Sequence, residues 1–168
     1  MQANLKKLKE TPLGISVVRR ALPKFRVMLY DDLPATPDYS KVVKGKEGVV
    51  LLYQLHSRGR PTDGMGHYVL VQRDTDGKII YFSSYGLRPE QEIAATHSRG
   101  KLIRMLGKNF RRNTIGFQKK SHTATCGRWV ILKARLASVS LKQFTAIFSR
   151  RVQLAPDELV SLATMFVS

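Results

Sequence analysis

The apolar positions change period twice along the chain, from helical spacing to a strand pattern and back. Ile15, Val18 and Leu22 recur at helical spacing. Thr11-Pro12 before them reads as a helix start and Pro23 after them as a stop. Residues 25–30 form a short strand pattern closed by Asp31-Asp32-Leu33-Pro34, and residues 36–47 read as a polar, basic loop. The centre is β. Residues 48–55 carry the run Val49-Val50-Leu51-Leu52-Tyr53 of a buried strand. A loop over 57–65, holding Arg58, Gly59, Arg60, Pro61 and Gly64, separates it from strands over 67–73 and 78–83, which flank the hairpin signal Asp74-Thr75-Asp76-Gly77. Apolar residues in that hairpin do not alternate cleanly, which predicts cover on both faces. Helical patterns fill most of the remainder: 89–95, 98–106, 126–137, 141–150 and 156–166, with a basic loop at Lys108, Arg111 and Arg112 and one further strand pattern at 114–117. Strands followed by helices define an α+β class, with a mostly antiparallel or mixed central sheet packed against helices. No repeat or linker divides the chain, so a single domain over residues 1–168 is expected.

Composition narrows the setting. The longest apolar run is those five residues, far short of the ~20 that cross a bilayer, and the segment Asn4-Leu5-Lys6-Lys7-Leu8-Lys9 lacks the apolar core of a secretion signal. A soluble, monomeric protein with no membrane partner is the expectation. Lys and Arg number 29 against 12 Asp and Glu, a net +17, where solubility alone asks for about 2 to 8 charges in a small domain. Such a surplus attracts polyanions, and DNA bound without sequence preference is the expected one. Candidate contacts are Lys6, Lys7, Arg19, Arg20, Lys41, Lys44, Arg111, Arg112, Lys119, Lys120, Arg150 and Arg151. For any single one of them, a solvated surface charge is the simpler account.

Cys126 is the only cysteine, which excludes an internal disulfide and a multi-cysteine zinc site. A lone cysteine is commonly a small buried hydrophobe. Here, however, Thr123 and Thr125 precede it as possible caps and Gly127 follows, placing the thiol in the first turn of a helix. Unpaired N–H groups and the helix dipole favour thiolate there. His67, in Gly66-His67-Tyr68, opens the predicted strand at a loop boundary, where a base is held firmly yet can reach a reacting atom. His56, His97 and His122 compete with it. Gln118, eight residues before Cys126, could donate to an oxyanion beside the Cys126 N–H, although taken alone a solvated surface glutamine is the stronger account. Tyr68 and Trp129 flank these residues as candidate cleft walls.

Together the order Gly66-His67-Tyr68, Tyr81-Phe82-Ser83-Ser84-Tyr85-Gly86, Gln118 and Cys126-Gly127 resembles the adenovirus-protease type of cysteine protease. That group also includes SUMO-specific proteases and capsid-maturation proteases of large DNA viruses and virophages. The resemblance spans about residues 20–140. It implies a papain-related fold with the nucleophile at the start of a central helix. It also implies His67 as base, Cys126 as nucleophile, and Gln118 with the Cys126 N–H as oxyanion hole. Viral structural precursors cut during virion maturation are the implied substrates, with the protein in the virion and in host cytoplasm or nucleus during assembly. No metal or organic cofactor is implied, and without a second cysteine a disulfide-linked activator peptide is not expected.

One position departs from the resemblance. Where the group carries Asp or Glu in the second strand, this chain has Ser83. A three-residue hairpin loop ending at Gly77 sets Ser83 opposite Val69, on the face of His67, with Ser84 pointing away. A serine accepting from His67 Nδ1 fixes the tautomer but supplies no charge. The expectation is a Cys–His dyad aided by Ser83, or a carboxylate from elsewhere. Asp74 and Asp76 lie at the wrong end of the hairpin, and Glu90 and Glu92 stay open. Two other classes fit the same residues: a non-enzymatic DNA-binding virion protein, and a ubiquitin-like-modifier protease or acyltransferase of the same fold.

Overall fold

The turn at Asp74–Gly77 sets the register of the central sheet. Gly77 takes φ +80°, the Asp74 N–H donates to the Lys78 carbonyl at 2.7 Å, and the Gly77 N–H donates to the Asp74 carbonyl at 2.9 Å. Arg73 then faces Ile79 and Val69 faces Ser83, as the three-residue loop predicts. The computed structural model describes residues 2–57, 60–118, 123–149 and 154–167. In chain order they form α1 (Gln2–Glu10), α2 (Ile15–Ala21), β1 (Phe25–Leu29), a 3-10 turn (Tyr30–Asp32), α3 (Tyr39–Val43), β2 (Gly48–Ser57), β3 (Arg60–Arg73) and β4 (Ile79–Ser83). There follow α4 (Pro89–Thr96), α5 (Lys101–Leu106), β5 (Arg111–Arg112), α6 (Cys126–Arg135), α7 (Leu141–Ser149) and α8 (Pro156–Ala163).

The described strands make one mixed sheet in the order β1-β2-β3-β4-β5. The outer pairs β1/β2 and β4/β5 are parallel and the two inner pairs antiparallel. Side-chain alternation gives the sheet two buried faces. On one, Val50, Leu70, Ile80 and Phe82 pack with Val18, Trp129, Val130, Phe144 and Val160 from α2, α6, α7 and α8. On the other, Val49, Leu51, Val69, Val71 and Tyr81 pack with Tyr39, Val42, Leu102 and Met105 from α3 and α5. The missing alternation in the hairpin sequence thus reflects helices on both sides. Among the described residues, no helix is long and apolar enough to cross a membrane.

Several local expectations change. α1 has no counterpart in the sequence reading, because its stabilisation comes from docking against α8 rather than from a strong apolar stripe. α2 starts at Ile15 behind Gly14 rather than at Thr11-Pro12, and the Thr11 hydroxyl donates to the Lys7 carbonyl at the end of α1. The basic stretch over 36–47 holds α3, where the Asp38 carboxylate accepts from the Ser40 N–H at 2.9 Å. Residues 60–65 continue β3 instead of forming a loop, pairing Pro61 with His56 and Arg60 with Ser57 past a register shift between Gln54 and His56. Residues 114–117 are not a strand. The Asn113 side chain takes the bonds a strand would make: its Oδ1 accepts from the Ser83 N–H at 3.0 Å and its amide donates to the carbonyls of Ser83 and Ile115.

Gly86 turns the chain out of β4 at φ +69°, and a Cβ there would lie 2.8 Å from backbone atoms of Ile115 and Gly116. Gly86→Ala is expected to cost about 1 to 3 kcal/mol in urea unfolding. Gly77→Ala has a similar positive φ but nothing within 4 Å of its Cβ, and should cost less. Equal losses would show that the contact at Gly86 adds nothing.

Candidate active site

β4 ends at Ser83, opposite Val69, so β3 loses that neighbour where His67 and Tyr68 stand. His67 therefore lies inside a long strand, paired with Tyr53 on β2, and not at a strand end as the sequence suggests. The gap beside it is filled from the other face of the sheet by the first residue of α6. The Cys126 sulfur sits there, beside the His67 ring and the backbone N–H groups of Tyr68 and Gly127, all of which favour its thiolate. Gly127 is required by space: a Cβ would lie 3.3 Å from both the Leu13 Cβ and the Tyr68 ring.

His67 is 6% exposed and held through Nε2. Its Nε2 lies 3.1 Å from Ser83 Oγ and 3.2 Å from Glu92 Oε1, while Ser83 Oγ–H donates to that same carboxylate oxygen at 2.6 Å. Nδ1 is buried and makes no hydrogen bond among the described residues, so it is the ring nitrogen open to the thiol. The nitrogen facing Ser83 is thus Nε2, not the Nδ1 expected. Ser83 is diagonal to His67 across the hairpin, roughly 7–8 Å between backbones, so only the far nitrogen reaches it. Tyr85 stacks on the ring at 4.5 Å between centroids.

The carboxylate comes from Glu92. Gly86 redirects the chain into α4, and Gln91 Oε1 accepts from the Arg88 N–H at the helix start. Glu92 is 3% exposed under the imidazole, whereas Glu90 faces solvent. Asp74 and Asp76 lie at the far end of the hairpin, as expected: Asp74 accepts from the Leu141 N–H at the start of α7, and Asp76 pairs with Arg111 at 2.7 Å.

The electrostatics follow from this shell. Burial alone would lower the His67 pKa, but its hydrogen bonds to Cys126 and Glu92 and their negative charge raise it to about 9. Burial alone would raise the Cys126 pKa, but the His67 hydrogen bond and charge, with the Tyr68 and Gly127 N–H groups, bring it below the ordinary thiol value. Thiolate and imidazolium are each stabilised at the expense of the neutral pair. Such a pair can attack an electrophilic carbon and return a proton to a leaving group.

Gln118 is buried beside the site. Its backbone N–H and that of Phe117 both donate to the Ser84 carbonyl. Its side-chain Oε1 accepts from Ser84 Oγ at 2.7 Å and its Nε2 donates to the Thr123 carbonyl at 2.8 Å. Ser84, pointing away from Ser83 as the register requires, therefore orients this amide. Thr125 holds the cap position of α6 but makes no side-chain cap; its hydroxyl donates to Asp157.

Tyr68 lines a groove of about 420 Å³ that runs from Cys126 past Leu13, Ile15, Leu29 and Leu52. Trp129, the other expected wall, is instead fully buried, stacked on Phe117 and donating from Nε1 to Asp157. His97 ends α4, exposed, and His122 lies outside the described residues. Of the basic candidates, Lys6, Lys7, Arg19, Arg20, Lys41, Lys44 and Arg111 are exposed and Arg112 is half-buried. Lys119, Lys120, Arg150 and Arg151 lie outside the described residues. Among the described residues no cluster of three or more His, Cys, Asp or Glu is placed to hold a metal. Asn113 and Asp157 escaped the sequence reading, since nothing local marks them as neighbours of the thiol, and Tyr85 entered it only as part of the motif that ends at Gly86.

No protein-family model matches the chain. It is similar to an uncharacterized protein of the Sputnik virophage, 24% identical over 158 residues that cover 84% of this chain and 87% of the relative. A viral protein is thus its relative, and that relative's name assigns no activity.

Iodoacetamide reports the thiolate directly. An unperturbed thiol, with a pKa of about 8.5, loses reactivity as pH falls through that value. Cys126 is expected to stay reactive well below pH 8, and His67→Ala to move its midpoint upward, because the largest influence opposing burial is then gone. A wild-type midpoint at or above 8.5 would exclude the ion pair.

Proposed function

We propose that the protein is a cysteine endopeptidase that processes viral structural precursors. The observation that carries this reading is the geometry: Cys126 opens α6 beside the His67 ring, with Glu92 and Ser83 on the far side of that ring, a setting that favours thiolate and imidazolium. The Cys126 thiolate attacks the scissile carbonyl, forming a C–S bond and an oxyanion. The Cys126 N–H and the Gln118 amide face that oxygen. As the tetrahedral centre collapses, the C–N bond breaks and His67 Nδ1–H protonates the departing amine. Water then adds to the thioester, giving its proton to His67, and the thiolate leaves with the new carboxylic acid formed. Glu92 holds the ring and its charge through both halves of the cycle.

The groove from Cys126 between the 12–15 segment and β2/β3 is the path for the substrate chain. The viral relative supports a viral setting, and the net charge of +17 suits an enzyme held near packaged nucleic acid, where phosphate contacts keep it close to its substrates.

Co-expression with the capsid precursors of its own virus tests the reading. Wild type should cut at least one, and Cys126→Ala should lose ~10⁴-fold or more. Unchanged processing by the alanine variant would end the proposal. The pH profile should be bell-shaped, since thiolate is needed on the acid side and imidazolium on the alkaline side, with the alkaline limb near pH 9. Glu92→Gln removes the charge that raises the His67 pKa, so that limb should move to lower pH.

A further inference from the structure

We propose that Asp157, in the first turn of α8, is a positioning residue for the oxyanion side of this cleft, acting through Thr123 and Thr125 on Gln118; this rests on the hydrolytic reading above. Asp157 is 4% exposed and three donors from around the thiol converge on it. Its Oδ1 accepts from Thr125 Oγ1 at 2.5 Å and Trp129 Nε1 at 3.3 Å, and its Oδ2 accepts from Thr123 Oγ1 at 3.4 Å. The carboxylate thus holds both threonines of the segment that leads into Cys126.

Two consequences reach the chemistry. First, the Thr123 carbonyl accepts one of the two Gln118 Nε2–H groups, and Ser84 fixes the opposite end of the amide. Those two bonds fix the plane of the amide, and with it the direction of the second N–H. If the threonine segment shifts, the Thr123 carbonyl shifts, and the amide swings about its Ser84 anchor. Second, Asp157 takes the Thr125 hydroxyl, which makes no cap of its own on α6, so the segment that carries the Thr123 carbonyl is held at its helix end as well. The Ala124 N–H, bonded to the Lys9 carbonyl of α1 at 2.6 Å, gives the segment a second anchor that survives loss of the carboxylate.

p-Nitrophenyl acetate hydrolysis reads the oxyanion without knowledge of the cleavage site, and iodoacetamide alkylation reads the thiolate–imidazolium pair without an oxyanion. Asp157→Ala is expected to lower kcat for the ester about 10- to 100-fold, less than full loss of an oxyanion donor (about 10²–10³-fold). KM and the alkylation rate at pH 7 should stay within about 2-fold, provided the thiolate pair is untouched. Adding Asp157→Ala to Gln118→Ala should cost nothing further, because both act on one donor. Asp157→Asn keeps one acceptor for Thr125 and should recover part of the rate. Should the alanine variant not fold, Asp157→Asn and Thr123→Val carry the same comparison. Additive losses, or an alkylation rate that falls in step with kcat, overturn the positioning role. A wild type that turns over no ester refutes the hydrolytic reading itself, which the variants do not address.

Discussion

A buried imidazolium is tolerable only when negative charge faces it closely, and the upper end of this sheet is arranged around meeting that demand at His67. Isolated, a buried charge costs several kcal/mol. Here the thiolate stands on one ring nitrogen and Glu92 with Ser83 on the other, and the Tyr85 ring covers the face. The arrangement requires β4 to stop at Ser83. One more ladder pair would close the edge of β3 and separate the thiol from the ring. The turn at Gly86 then has two tasks, to end the strand and to send α4 back beneath His67. It is crowded against Gly116 because the segment leading to Gln118 passes through the same space.

Acidic side chains are scarce in this chain, 12 against 29 basic ones, and three that are buried sit at junctions. Asp74 holds the start of α7 against the hairpin turn, Glu92 holds α4 against the His67 ring, and Asp157 holds α8 against the segment before Cys126. Each carboxylate accepts from donors on a different element, so each is a tertiary link rather than a local cap. With so large a positive excess outside, a buried carboxylate is also favoured by the field of the whole molecule. The surface charge and the interior acids therefore work in the same direction.

The hairpin was legible in the sequence because Asp74–Gly77 has a turn chemistry with one register, and that register carried Ser83 to the face of His67. The helix start at Cys126 was legible for a similar reason, since a small-residue and threonine segment precedes a long apolar run. Glu92 was open but not chosen. Deciding between it and Glu90 needs the direction of α4 after Gly86, which is set by a left-handed glycine packed against Ile115 and Gly116 and which no local pattern records. The 114–117 segment looked like a strand because its residues suit one, yet the side chain of Asn113 supplies the ladder bonds. α1 stayed invisible since its partner, α8, is almost the whole chain away; the Lys9–Glu158 pair at 3.1 Å and the Arg128 bond to the Leu8 carbonyl exist only after folding.

A carboxylate on a helix controls the imidazole differently from one on a strand. A strand carboxylate is fixed by the same ladder that fixes the histidine, so ring and acid move as one body. Glu92 instead belongs to α4, a two-turn helix joined to the sheet through a glycine turn. The Thr96 hydroxyl bond to the Glu92 carbonyl and the Gln91 cap are internal to it, and it packs against β2 and α5. Short helices of this kind open more readily than sheet ladders. Ser83 offsets that weakness, for it belongs to the sheet and bonds both ring and carboxylate. If α4 lifts, Ser83 still fixes the tautomer of His67 while the charge that favours imidazolium departs. The serine sets geometry and the helix sets charge, so the two duties of one strand carboxylate are here divided between two elements.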